Sequence, residues 1–198
     1  MFEIINESEI DITEKRSKFI TRVKKISSEE EVKNIISEIV KKEKGAVHNC
    51  YAYRIIKDNG EIVERKSDDG EPGGTAGAPM LSVLTGENLI NVLVVTTRYF
   101  GGIKLGTGGL VNVYKKGVKE VINRSGKKEY VSYIKYKINF PVNKTGLIQY
   151  ELKKENILII EKKFNNEDVE FIIGVPENSI EKLERIITPH SNVVLAPL

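Results

Sequence analysis

The chain has 198 residues, 40% of them apolar, one cysteine and a formal net charge of +3. That length accommodates one large or two small domains with packed cores. A single cysteine, Cys50, excludes a disulfide framework and the multi-cysteine zinc patterns, and no stretch approaches the roughly 20 apolar residues of a membrane span.

The N-terminal sequence MFEIINESEIDITEKRSKF carries acids and no apolar h-region. It is not expected to be a signal peptide, and the expected location is the cytoplasm. Two strands are predicted near residues 2–13 and 17–26. A helix follows, with Ser28 and Glu31 forming a capping box. Val32, Ile35, Ile36, Ile39 and Val40 supply its apolar face, and Gly45 its C′ residue. Basic clusters at Lys15, Arg16 and Lys18, at Arg22, Lys24 and Lys25, and at Lys41, Lys42 and Lys44 read most simply as solvated surface.

Residues 48–57 and 61–66 flank Asp58-Asn59-Gly60, which predicts a hairpin with a type I′ turn. The loop 68–74 leaves that hairpin, and Thr75 is expected to cap a helix reaching Leu84, with Pro79 in its first turn. Residues 89–99 (LINVLVVTTRY) read as a strand covered on both faces. A second loop, 100–106, then leads through Thr107 into a helix to about Arg124. Its buried stripe is Leu110, Val111, Tyr114, Val118, Val121 and Ile122. The polar segment 123–129 (NRSGKKE) marks a domain boundary. Beyond it the order is β-α-β-β-α-β, with strands near 130–140, 157–164, 169–175 and 193–196. Its helices start at Asn143 or Thr145 and at Asn178 or Ser179. From residue 134 onward nine Lys/Arg balance nine Asp/Glu, so the positive excess lies in the first two-thirds.

Function concentrates between Asp68 and Gly109, which hold 10 of the 16 glycines but only two basic residues, Arg98 and Lys104. Such clustering marks backbone that needs positive φ or close approach. A strand entering GGIKLGTGG and then a helix exposes unpaired N–H groups at the positive end of the helix dipole, a natural anion site. Arg98 and Lys104 are placed to neutralise the anion, with Thr107 donating a hydroxyl bond and Gly106, Gly108 and Gly109 letting the backbone approach. The alternative is a tight structural turn. The loop is not a P-loop, because Thr107 and Gly108 stand where Lys and Ser/Thr are required. Nor is it a Rossmann fingerprint, because Val111 occupies the third glycine position.

Asp68, Asp69 and Glu71 read either as acidic partners of those cations, with Mg²⁺ binding as a variant, or as turn residues. His48 and Cys50 share a strand face and His190 follows Pro189. That arrangement argues against triad chemistry, and a buried structural thiol is the simpler reading of Cys50.

Three blocks resemble the signature segments of the Impact family, in its bacterial YigZ-like branch: HNCYAYRI at 48–55, DDGEPGGTAGAPML at 68–81 and RYFGGIKLGTGGLVNVY at 98–114. The resemblance implies an α+β protein of two domains. Residues 1–126 would form a domain like the second domain of a small-subunit ribosomal protein, carrying both glycine-rich loops. Residues 130–198 would form a ferredoxin-like βαββαβ domain, a tandem similar to domains IV and V of elongation factor G. Eukaryotic relatives regulate translation, acting on a kinase that senses amino-acid starvation through a partner protein. The expectation is therefore a non-enzymatic binding or regulatory protein that engages RNA or the ribosome, with no cofactor, no resident metal and no membrane partner. A sensor or enzyme for a phosphorylated small molecule, or a pure protein–protein regulator, are the alternatives.

Overall fold

The chain opens on a short strand, β1 (Phe2–Ile4), in a computed structural model that describes residues 1–176, 179–188 and 194–197. Five further strands build one antiparallel sheet: β2 (Ser8–Glu14), β3 (Ser17–Lys25), β4 (His48–Ile56), β5 (Ile62–Ser67) and β6 (Val92–Tyr99). Their spatial order is β2-β3-β6-β4-β5. Successive side chains point to opposite faces, and helices cover both. On one face α1 (Glu29–Lys42) lays Val32 and Ile39 against Tyr53, Ile55, Leu93 and Val95. On the other, α2 (Gly77–Gly86) and α3 (Thr107–Ser125) bury Met80, Leu84, Tyr114 and Val118 against Phe19, Val23, Ala52, Val92 and Val94. The central strand β6 is thereby buried along nearly its whole length, as its unbroken apolar run demands.

Local chemistry explains where these elements begin and end. Ser28 Oγ accepts from Glu31 N at 3.2 Å, while the Glu31 carboxylate accepts from Ser27 N at 2.8 Å. Helix α1 ends one residue before Glu43, whose N–H bonds the Ile39 carbonyl, so Gly45 (φ +91°) lies beyond the cap rather than at C′. Val40, expected on the buried stripe, is exposed.

The β4–β5 hairpin departs from the type I′ expectation. Gly60 takes φ +81° while Asn59 does not, and Gly60 N bonds the Lys57 carbonyl at 2.9 Å. This is the longer loop closed by a left-handed glycine. The turn with two positive φ values occurs instead at Lys15 (+44°) and Arg16 (+64°), between the paired residues Glu14 and Ser17. Left-handed backbone costs an ordinary L-residue roughly 1–2 kcal/mol.

Helix α2 is not capped by Thr75, whose hydroxyl donates to the Pro72 carbonyl. Asp68 takes that role from outside the helix, accepting from Gly74 N, Ala76 N and Gly77 N at 2.8–2.9 Å.

The polar segment read as a boundary contains structure of its own. Strand β7 (Lys127–Glu129) pairs with β1, and Tyr130 N bonds the Met1 carbonyl at 3.0 Å. The chain divides into Met1–Tyr130 and Val131–Leu198. The second unit runs β8 (Tyr133–Pro141), α4 (Thr145–Lys154), β9 (Leu158–Phe164), β10 (Asp168–Pro176), α5 (Ile180–Ile187) and β11 (Val194–Pro197). Its strands lie in the order β11-β8-β10-β9, all neighbours antiparallel, and a separate core gathers around Phe140, Ile148, Phe171 and Leu183. Asn178, Pro189, His190 and Val193, named in the sequence reading, lie outside the described residues.

Candidate anion-binding site

Register brings the two glycine-rich loops to one end of the five-stranded sheet. Strand β5 ends at Ser67, which pairs with Tyr51, and β6 ends at Tyr99, which pairs with Lys18. His48 opens β4 opposite Arg98. The first loop leaves from Ser67 and the second from Tyr99, so both open beside His48.

Alternation along β6 puts Arg98 on the same face as Val94 and Thr96, against α2 and α3, where a guanidinium needs a partner. Glu71 of the first loop supplies it: Arg98 Nη1 lies 2.7 and 2.9 Å from the two carboxylate oxygens. Both side chains are buried, at 7% and 2% exposure. Losing one member of such a pair strands a buried charge, at a cost of roughly 3–5 kcal/mol. The Arg98 guanidinium also sits between two rings, 5.3 Å from the centroid of Phe19 and 5.4 Å from that of Phe100. Its Nε is buried and has no hydrogen-bond acceptor.

Behind the pair, Tyr114 of α3 donates to Glu71 Oε1 at 2.8 Å. The Cys50 thiol lies 3.3 Å from the Tyr114 hydroxyl and 3.0 Å from the Asp68 carbonyl. Burial pushes the thiol up to about 12, with Glu71, Asp69 and Asp68 adding to the shift against the Tyr114 hydrogen bond, and burial also drives the Tyr114 phenol far upward. Both stay neutral at physiological pH, so Cys50 is no nucleophile and Tyr114 acts as a fixed donor. His48 Nδ1 is 2.7 Å from the Asp69 carbonyl. A carbonyl only accepts, so Nδ1 carries a proton, and Nε2 lies 3.9 Å from Glu71 Oε2.

The three acids therefore have distinct jobs. Only Glu71 pairs with a predicted cation. Burial raises the Asp68 carboxyl, but its three backbone N–H bonds outweigh that and hold it below the usual carboxylate range. Asp69, at φ +42°, accepts from Asn49 N at 2.6 Å. Asp68 and Asp69 are thus committed to backbone groups, and among the described residues no three His, Cys, Asp or Glu side chains converge as a metal site.

The N-terminus of α3 is open. Gly106 precedes it with φ +78°, no side chain caps it, and its first turn has no acid. Leu110 N is the first to find a helix carbonyl, that of Gly106 at 3.0 Å. Thr107, Gly108 and Gly109 are left with N–H groups directed outward. A cavity of about 410 Å³ lies in front, lined by Val47, His48, Glu71, Arg98, Phe100, Lys104, Leu105, Gly106 and Thr107, among others. Lys104 is exposed and forms no ion pair among the described residues. Gly108 and Gly109 do not line the cavity: Gly108 faces open space, and a Cβ on Gly109 would press on Leu105 Cβ at 3.1 Å.

Residues 15–122 match the family model of the Impact N-terminal domain. The chain belongs to the IMPACT family. The Bacillus subtilis IMPACT family member YvyE is 37% identical over 191 residues, covering 96% of this chain and 87% of that one. A Dictyostelium discoideum protein IMPACT homolog is 41% identical over 114 residues, 57% of this chain and 32% of that one. A crystal structure described as that of a hypothetical protein superposes with a TM-score of 0.69 at 26% identity, covering 100% of this chain and 96% of the other. Both glycine-rich loops and the Glu71–Arg98 pair fall inside the segment matched to the Impact N-terminal domain.

Sequence reasoning did not bring His48 or Tyr114 to the site, and it connected the basic cluster of Lys15, Arg16 and Lys18 with nucleic-acid affinity without foreseeing the turn there. That turn lies against the second loop: Gly101 N donates to Ser17 Oγ at 3.1 Å, and a Cβ on Gly101 would stand 2.1 Å from the Arg16 carbonyl. Lys15 and Arg16 are exposed and form no ion pairs among the described residues. Of the other four basic residues of this strand pair, Lys18, Arg22 and Lys24 are compensated, while Lys25 has no ion pair among the described residues. Arg22 is buried and bound to Glu9 and Glu43, Lys24 binds Glu7, and Lys18 lies 3.7 Å from Asp11. A signal for Tyr114 was present, since a tyrosine in a buried stripe needs a partner for its hydroxyl.

Proposed function

We propose that this IMPACT-family protein is a binding and regulatory protein of translation that engages RNA or the ribosome through phosphate groups. The observation that carries the reading is the uncapped N-terminus of α3, with three backbone N–H groups beside Lys104, which has no ion-pair partner among the described residues. An anion at a helix N-terminus gains about 0.3–1 kcal/mol, and up to about 2 in a partly buried setting. Lys15 and Arg16, held against Gly101, add positive charge next to this point and suit a chain of phosphates better than a single one. Glu71 neutralises Arg98, so Arg98 organises the site and Lys104 carries the free charge. The fold reading is part of the proposal: a first unit like the second domain of a small-subunit ribosomal protein, and a ferredoxin-like second unit. The strand order β11-β8-β10-β9 supports the latter. The family's eukaryotic members, translation regulators by the resemblance described above, support the regulatory assignment.

Titration of single-stranded RNA at several salt concentrations tests this. Lys104→Ala is expected to weaken binding and to reduce the slope of log K against log salt by about 0.7, one single-strand contact. Equal affinity and equal slope for wild type and variant would return the loop to a structural role.

A further inference from the structure

A phosphate at the α3 N-terminus leaves most of the adjoining space unfilled. The cavity measures about 410 Å³, room for more than a dozen waters at ~30 Å³ each, and within the range of small-molecule sites. Its walls are largely apolar: Val47, Pro72, Phe100, Leu105 and Leu110. Phe100 and Val47 stand at 48% and 53% exposure beside a charged site. The Phe100 ring is held in place by Arg98.

The polar groups facing this space offer both senses of hydrogen bond. Thr107 carries a hydroxyl, which both donates and accepts, and the His48 imidazole lines the same cavity. Arg98 borders the cavity with a side chain more than nine-tenths buried, and its Nε–H is closed off from solvent.

Resting on the phosphate reading above, we infer that this cavity is a nucleotide pocket: it takes one unstacked base while the attached phosphate sits on the α3 N-terminus and Lys104. A base has a flat apolar face for Phe100 and a polar edge for the inner groups. Neither inorganic phosphate nor the stacked interior of a duplex offers that pairing of features. Lys15 and Arg16, beside the second loop, favour a nucleotide within a single strand over a free one. The bound nucleotide is read mainly by stacking, which tolerates every base.

Binding of four probes tests the pocket: a single-stranded RNA octamer, a blunt RNA duplex of equal length, inorganic polyphosphate and a nucleoside monophosphate. Phe100→Ala is expected to lower octamer affinity about fivefold or more and to leave polyphosphate affinity unchanged. Val47→Trp, which fills the cavity from an exposed position and leaves every charged residue in the sequence, is expected to do the same. Wild type is expected to prefer the octamer to the duplex at matched salt. A monophosphate that binds as tightly as the octamer supports the pocket and assigns it to free nucleotides; a much weaker one assigns it to a strand. If both substitutions leave the octamer unaffected while Lys104→Ala weakens it, the phosphate site stands and the nucleotide pocket is overturned. If Lys104→Ala is also silent, the phosphate reading falls with it.

Discussion

Asp68 shows how much of this end of the molecule depends on one carboxylate. It joins Gly74, Ala76 and Gly77 to the end of β5 through three short bonds, and so starts α2 without a cap of that helix's own. Its carboxyl is held below the ordinary value of 3.8. A depressed acid contributes stability that is complete above its unfolded pKa and is lost as pH falls through the folded one. Asp68→Asn is expected to cost about 1–3 kcal/mol at pH 7, measured by urea unfolding. It should also remove part of the acid destabilisation that wild type shows below about pH 4. An unchanged midpoint would show that the loop holds without the charge. None of this was legible in the sequence, where Asp-Asp-Gly fits a turn as well as it fits a binding site. The acceptor's targets lie six to nine residues away, and only the folded loop brings them back. Arg98 was partly legible: a charge spaced evenly with Val92 and Val94 on a buried strand must find a counter-charge, but the pattern does not say that Glu71 provides it.

At the scale of elements, strong local signals placed the helices and strands, and tertiary packing decided the turns. The apolar rhythm of α1, the run of β6 and the stripe of α3 were readable because each repeats one period over several residues. The hairpin types were not. Asn59-Gly60 suggested positive φ at both positions, yet that backbone formed at Lys15-Arg16, where the sequence has no glycine or asparagine. The reason is close packing: Gly101 leaves room for the Arg16 carbonyl, so the second loop holds the strained turn in place. The glycines of the second loop therefore divide by role. Gly101→Ala is expected to lower the melting temperature clearly, because its Cβ meets backbone at 2.1 Å. Gly108→Ala meets open space inside a helix and is expected to be neutral or stabilising by up to about 1 kcal/mol. Thermal unfolding of the two variants side by side checks this, and equal losses would refute the division.

At the scale of the whole molecule, two cores belong to two units, and the change in sequence rhythm was visible before the fold was known. The exact joint was not visible, because a polar, glycine-containing segment reads as a linker even when it forms an edge strand. With Lys127–Glu129 paired to β1, the accessible stretch shortens to the residues around Val131, which is exposed and outside any strand. Limited proteolysis is expected to cut first at residues 130–132, leaving fragments that match the two units. First cleavage within 123–129, or inside the second glycine loop, would contradict that.

The β1–β7 pairing also bears on how the first unit can be engineered. A single hydrogen bond connects Met1 to Tyr130, so the first unit's ends meet at one point of its surface. A short peptide spliced between them would close this unit into a ring. Reopening the ring at the exposed turn of Asp58 and Asn59 would give a circular permutant with every strand and helix of the unit intact. In that permutant the second unit attaches at a different surface, and any joint action of the two becomes separable from the chain order that now links them.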